Sequence, residues 1–378
     1  MNLAMRRLRL LRGGNNIYMS DNFFVVYFPY ISLGDLSEID FGFAKVWNFD
    51  KKKNDYISNS HILEKMEKIV GVNVELGGDR IGDVGIISIG EIDFRKYNKD
   101  EERTVEQICL ILFLSCIAKN NMVINHANLS MVTAENFDVI YQSFTPEGET
   151  FSEKTGLILQ INAGGYDFSR TKFQKPRYIY KPLRFVFDND MFHGLLKLNS
   201  NKPRVFKRTM NATRFIMEGY YNTPYLSRSA RLLLHVSAFE IFLSLPFREQ
   251  RKVFKEKIRE VVSFDGEQEY SYWTKLGTSS KRLRGTMKEI WVDRFYMLRN
   301  DIIHGNNPDD DKFLFEDVQN HLDISILFFV FLVKKQIEKS LVGVKYGCTH
   351  EIIWDNGFLY KFSMKKFFEM NKKAFRTN

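Results

Sequence analysis

The spacing of apolar and polar positions divides the chain near residue 200. From Asn22 to about Ile92, runs rich in β-branched and aromatic residues, such as Phe23–Tyr30 and Gly82–Ile89, alternate with Gly and Asn/Asp punctuation. That pattern predicts short strands. Gly71, Gly77, Gly78, Gly82, Gly85 and Gly90 crowd the segment Glu67–Ile92 and predict tight turns. No Gly-Lys-Ser/Thr follows them and no G-x-G-x-x-G opens a helix, so turns are favoured over a phosphate-binding loop. Between Asp100 and Asn120, acidic residues precede Val105, Ile108, Cys109, Leu112, Phe113 and Cys116 at spacings of three and four, the mark of a helix with an acidic first turn. Strand-like stretches return at Phe137–Phe144, Leu157–Ala163 and Arg184–Phe187. Residues 20–198 therefore read as a mixed α and β domain.

Beyond the polar segment Lys197–Pro203 the character changes. Helical spacing predicts helices over Arg204–Tyr220, Leu226–Leu245, Arg248–Val262, Lys281–Ile303 and Asp311–Leu341. Their short connections predict an antiparallel, all-helical block over 204–342. The fold class expected is α+β: a β-rich N-terminal domain of sensing or regulatory character, an all-α bundle, and a basic, aromatic tail over 343–378. Residues 1–19 stand apart as a basic arm. Arg6, Arg7, Arg9 and Arg12 break its apolar stretch, which a secretory signal core would not tolerate. Met19 is an alternative start, with Arg12-Gly13-Gly14 then translating a purine-rich stretch.

Composition narrows the class. The longest apolar runs, Ile108–Ala118 and Ile324–Val333, fall short of the roughly 20 residues a spanning helix needs, and read as buried core helices. Cys109, Cys116 and Cys348 share no metal-ligand spacing, which fits a reducing cytosol and no metal or cofactor. Lys and Arg number 55 against 46 acidic residues, for a formal charge of +9. This excess points to a polyanionic partner, nucleic acid or an anionic membrane surface, without choosing between them.

The candidate chemistry lies at the end of the helix predicted to finish near residue 304. Met287, Ile290, Trp291, Phe295, Leu298 and Ile302 form its inward stripe. Val292, Tyr296, Arg299 and Ile303 lie beside it, so Arg299 occupies a margin where another helix or protomer could meet it. Gly305 supplies a left-handed cap and Asn306-Asn307-Pro308 prevents continuation, leaving His304 in the last turn.

The run Arg299-Asn300-Asp301-Ile302-Ile303-His304-Gly305 resembles the Arg-x(4–6)-His signature of the HEPN superfamily, in the form of its ApeA-like branch. Arg231-Leu232-Leu233-Leu234-His235-Val236-Ser237-Ala238-Phe239-Glu240 is similar to that branch's central helix, with an acidic residue in an apolar run. The resemblance covers roughly Arg204–Val342. It implies a metal-independent endoribonuclease that leaves a cyclic phosphate, a homodimer with two motif copies lining one cleft, and a role in antiviral defence by abortive infection or as a toxin-like effector.

The residues fit such chemistry. RNA carries its own nucleophile in the 2′-hydroxyl. An imidazole titrating near neutrality can move protons, so His304 is the candidate general acid or base. A permanently charged planar fork suits phosphorane oxygens, so Arg299 is the candidate stabiliser. Residues five apart on a straight helix point about 140° apart, so either the last turn loosens at Gly305 or two protomers build the site. Asn300 is a candidate to contact phosphate or orient His304, and Asp301 is either an assistant or a solvated charge. Glu240 needs a partner within its apolar helix, with Arg299 or Arg231 the obvious cations; a structural ion pair and a supporting role remain open.

Elsewhere the plainer interpretations win. His235 reads as a core histidine, and Asp309, Asp310 and Asp311 as residues that open the following helix. Lys365, Lys366, Lys372, Lys373 and Arg376, with Phe362, Phe367, Phe368 and Phe375, form a tail suited either to RNA or to packing on the body. The partners expected are RNA and a second copy of the chain, with no membrane partner, and a phage-derived or nucleotide trigger for the N-terminal domain. The alternative class is a non-catalytic HEPN module for nucleotide binding or dimerisation.

Overall fold

The computed structural model describes residues 23–71, 74–75, 83–90, 94–120, 132–144, 150–152, 178–179, 183–184, 186–221, 226–261, 269–276, 279–306, 308–315, 319–341, 349–354 and 358–363. The chain is α+β, with a β-sheet region first and a mostly helical remainder. The expected strand Leu157–Ala163, the N-terminal arm and the basic residues of the tail beyond 363 lie outside the described residues.

Strand β1, Phe23–Phe28, is apolar at every position because both of its faces are covered. Phe24, Val26 and Phe28 join the main core, while Val25 and Tyr27 enter a second cluster on the opposite face. Around β1 runs an antiparallel six-stranded sheet. Its other strands are β2 (Glu38–Asp40), β3 (Lys45–Asn48), β4 (Gly85–Ser88), β5 (Ile140–Phe144) and β6 (Thr150–Ser152), in the spatial order β2-β3-β4-β1-β5-β6.

Helices α1 (Phe49–Tyr56) and α2 (Ser60–Val70) correct the all-strand expectation for the first 92 residues. Asn48 and Asn59 cap them, each side chain accepting a backbone N–H of the first turn. Met66, Ile69 and Val70 of α2, spaced three and one apart, pack on Trp47, Ile86 and Phe144.

On the other face lies α3, Lys99–Asn120, where the acidic first turn was expected. Its run Ile108–Ala118 is buried on all sides. Beyond it come α4 (Asn189–Asn201), α5 (Pro203–Gly219), α6 (Arg228–Leu243), α7 (Gln250–Val261), α8 (Met287–Ile303) and α9 (His321–Ser340). Helix α9 carries the other long apolar run and is likewise enclosed. Among the described residues, no helix is long and apolar enough to cross a membrane.

The polar stretch near residue 200 is where α4 ends and α5 begins, with Pro203 at the first turn of α5. One buried cluster runs from Phe24 to Leu341 and includes Leu195 and Leu198 of α4 beside Phe206 of α5. Where α6 passes the end of α5, the buried ring of His235 lies so close to Gly219 that an added Cβ would come within 2.5 Å of it.

The helical block departs from the all-α expectation. A hairpin, Tyr270–Leu276 with Ser279–Gly285, interrupts it, so α8 begins at Met287 and not Lys281. Thr286 and Glu289 form a capping box there, and that local signal sets the start. Likewise, Asp310–Phe313 is one short 3-10 turn followed by a small strand pair; α9 starts at His321, capped by Asn320.

Candidate active site

Over its first three turns α8 is enclosed almost all round. Met287, Ile290, Trp291, Phe295 and Leu298 are buried as the inward stripe required, and so are Val292 and Tyr296. Burying each large apolar side chain contributes about 1.5–3 kcal/mol, which holds the helix firmly against the core. Charged groups on the same turns are enclosed too. Asp293, with no exposed side-chain surface, meets Arg251 at 3.0 Å and Lys255 at 3.1 Å, and Glu289 meets Arg259 at 2.8 Å. Sequence reading singled out none of these, although Arg251, Lys255 and Arg259 stand four apart on α7 and Glu289 and Asp293 four apart on α8.

The last turn emerges from the core. Arg299 retains 25% of its side-chain exposure and its guanidinium sits 5.9 Å from the ring centroid of Tyr296. Its Nη2 lies 3.6 Å from Glu240 Oε1, and its Nη1 donates to Asn300 Oδ1 at 3.1 Å. Arg299 is thus a partner of Glu240. The hydroxyl of Tyr296 donates to the same Glu240 oxygen at 2.7 Å, a contact that the sequence reading missed. Burial, reinforced by that bond, raises the phenol's pKa, so the hydroxyl stays protonated and continues to donate.

His304 caps α8. Its N–H bonds to the carbonyl of Asn300, Gly305 N–H to Ile302 and Asn306 N–H to Asp301, with Gly305 at φ +80°. These bonds form a Schellman motif, which only a residue free to adopt positive φ completes without strain. The cap leaves the imidazole exposed at the helix end, five residues beyond the held guanidinium. Asp301 is half-buried and contributes its carbonyl to the cap. Arg231 sits nine residues before Glu240, about 13 Å away along α6, where its Nε donates to the carbonyl of Leu226. The structure therefore gathers Arg299, Asn300, Glu240 and Tyr296, places His304 and Asp301 at the adjoining cap, and leaves Arg231 at the far end of α6.

Other histidines are core groups. His235 Nδ1 lies 2.6 Å from Ser325 Oγ, and the Ser325 hydroxyl donates to the Leu322 carbonyl at 2.6 Å. His321 stacks on Phe295 and meets Phe315 edge-on. Burial pushes both imidazoles down to about 3. Among the described residues no group of three His, Cys, Asp or Glu side chains could hold a metal ion.

A cavity of about 450 Å³ opens elsewhere, between the sheet, α3 and α5, and no candidate site residue lines it. Its polar groups largely satisfy each other: Tyr221 bonds Asp138 at 2.6 Å and Arg214 pairs with Glu106 at 2.5 Å. The candidate residues Arg299, Asn300 and His304 lie instead on the open end of α8. No family model, curated protein or solved structure matches the chain.

Proposed function

We propose that this protein is a HEPN-type, metal-independent endoribonuclease whose site is the last turn of α8. One observation carries the reading: Arg299 is pinned with a quarter of its side chain exposed, and the exposed His304 follows it at a rigid helix cap. An arginine has five donors, and Glu240 and Asn300 engage only part of the fork. The remainder is available to phosphate oxygens.

In the proposed reaction the ribose 2′-oxygen attacks the adjacent phosphorus and the P–O5′ bond breaks, giving a cyclic phosphate and a 5′-hydroxyl. An imidazole takes the 2′-hydroxyl proton and an imidazolium supplies one to the leaving oxygen. Arg299 balances the charge that develops on the phosphorane. Two proton-transfer groups are needed, and among the described residues one chain offers a single histidine at this site. A symmetric dimer supplies the second copy. Asn300 and Glu240 act as positioning residues that hold the guanidinium; Asp301 is a weaker candidate for the same task. The cysteine usage fits a cytoplasmic protein, and the resemblance implies a defence or toxin-like effector, with the sheet region taking the trigger.

The test is incubation of purified protein with RNA in excess EDTA, beside His304→Ala and Arg299→Ala variants. Cleavage with cyclic phosphate ends, lowered by about 10²–10⁴-fold in His304→Ala at unchanged melting temperature, supports the reading. Binding of nucleotide without cleavage by the parent protein would instead support a non-catalytic HEPN module.

A further inference from the structure

The hairpin between α7 and α8 lies in a stretch where sequence spacing predicts the start of a helix. Its register pairs Ser271 with Arg284, Tyr272 with Leu283, Trp273 with Arg282 and Lys275 with Ser280. Residues on a strand alternate between two faces, and directly opposed residues share one. Tyr270 and Leu283 pack against the main core, which fixes the inner face. The outer face then holds Ser271, Trp273, Lys275, Ser280, Arg282 and Arg284 by position, and Ser271, Arg282 and Arg284 are exposed.

Charge sets this face apart. Lys275, Arg282 and Arg284 fall at its positions, and from 270 to 285 the chain has no Asp or Glu. Arg251, Lys255 and Arg259 of neighbouring α7 are engaged by carboxylates of α8. No carboxylate among the described residues pairs with Arg282 or Arg284. A face with two exposed arginines and, by register, a tryptophan at its central position has the two residue types that hold an unpaired strand: donors for phosphate and an aromatic group suited to stacking on a base. A duplex would leave the stacking position unused, because its bases are already stacked on each other.

We propose that the outer face of this hairpin is a docking surface for single-stranded RNA, which it feeds toward the end of α8. The inference rests on the ribonuclease reading for the direction of travel. The hairpin meets α8 at its first residue, and Arg299 and His304 lie about 18 and 26 Å further along the helix axis. At about 3.4 Å per phosphate that span corresponds to roughly 5–8 nucleotides. Short RNAs therefore reach the site without touching the hairpin, and long ones engage both.

Binding is measured on the full chain in a His304→Ala background, so that RNA survives. Labelled unstructured RNAs of about 3 and about 15 nucleotides are titrated by fluorescence anisotropy at several salt concentrations. Arg282→Glu with Arg284→Glu is compared with Lys68→Glu and Arg103→Glu, exposed cations on α2 and α3 that carry the same charge change. The hairpin pair is expected to weaken the longer RNA about tenfold or more and to lower the salt slope by about 1.4, the contribution of two phosphates on a single strand. Trp273→Leu is expected to weaken it about fivefold or more with the slope unchanged. The control pair should stay within about twofold of the parent, and the trinucleotide should ignore the hairpin. Melting temperatures should not change, because Tyr270 and Leu283 are untouched.

Equal losses in both charge pairs would reduce the effect to net charge and overturn the proposal. So would parent-level binding by the hairpin variant, or failure of the parent to bind the longer RNA. Retained RNA binding with lost attachment to anionic vesicles would overturn it in favour of a membrane surface. The readout is binding, so a parent that binds at the hairpin but never cleaves sinks the ribonuclease reading alone. Cleavage of long RNA that is indifferent to the hairpin sinks this inference alone.

Discussion

The first three turns of α8 and its last turn hold charged groups in opposite ways. Along the enclosed turns Asp293 is matched by Arg251 and Lys255 and Glu289 by Arg259, with every partner drawn from α7. An unmatched charge in such surroundings would cost several kcal/mol, so the match is a condition of folding. At the open end one carboxylate, Glu240, faces Arg299 at 3.6 Å, long enough to orient the guanidinium without consuming its donors. The difference teaches where to look for chemistry on this helix: closely matched pairs build the bundle, and the proposed chemistry sits where a cation is oriented but only partly engaged, five residues before an exposed imidazole.

Acidification tests the enclosed side of that contrast with the largest effect. His235 and His321 titrate near 6.5 when unfolded and are held down to about 3 in the fold. Between those values the unfolded chain takes up protons that the folded chain refuses, so stability falls as pH drops from about 6.5 to about 3. Asp323 works against this. Burial raises its carboxyl from 3.8 to about 6, so the folded chain binds the extra proton there and gains stability as pH falls through that interval. Two imidazoles outweigh one carboxyl, and the net expectation is a loss on the order of several kcal/mol, seen in urea melts between pH 7 and pH 4. A stability that is flat with pH would show that the two rings are not enclosed as described.

Next in size is Asp293→Ala. It strands Arg251 and Lys255 at the α7–α8 contact and is expected to cost about 3–5 kcal/mol by denaturant unfolding. The smallest effect comes from the open end. Tyr296→Phe removes one hydrogen bond to the half-exposed Glu240, an expected loss of about 1 kcal/mol. Its sharper signature is in RNA cleavage, which should fall by less than about tenfold through a looser Arg299, with the pH profile unmoved. A stability loss as large as that of Asp293→Ala would erase the distinction between the two clusters.

Much of this arrangement is readable along the chain where one local rule dominates. The run Phe23–Phe28 marks a strand covered on both faces, and Ile108–Ala118 and Ile324–Val333 mark helices enclosed on all sides. Gly305 announces the cap that ends α8, and an acid alone in the apolar run of α6 announces a cation, Arg299 or Arg231, between which the structure selects Arg299. Misreadings arise where local signals compete. The segment Phe49–Val70 lies among strand-like runs, and only the Asn48 and Asn59 caps with the spacing of Met66 and Ile69 betray its helices. Lys281–Gly285 could continue the pattern of α8 upstream, yet pairing with Tyr270–Thr274 gives those residues a strand partner that no local window contains.

By itself the sequence determined which segments must be buried, where α8 ends, and that Arg299 and His304 stand five residues apart with a glycine behind them. Those features follow from side-chain solubility, backbone freedom and helical spacing, which act over a few residues. Only the tertiary structure decided that Tyr296 and Glu240 converge on Arg299, that α7 neutralises the buried acids of α8, and that a basic hairpin stands before that helix. Each of these depends on groups from separate elements meeting within a few ångströms, and that proximity is a property of packing which no stretch of chain encodes alone.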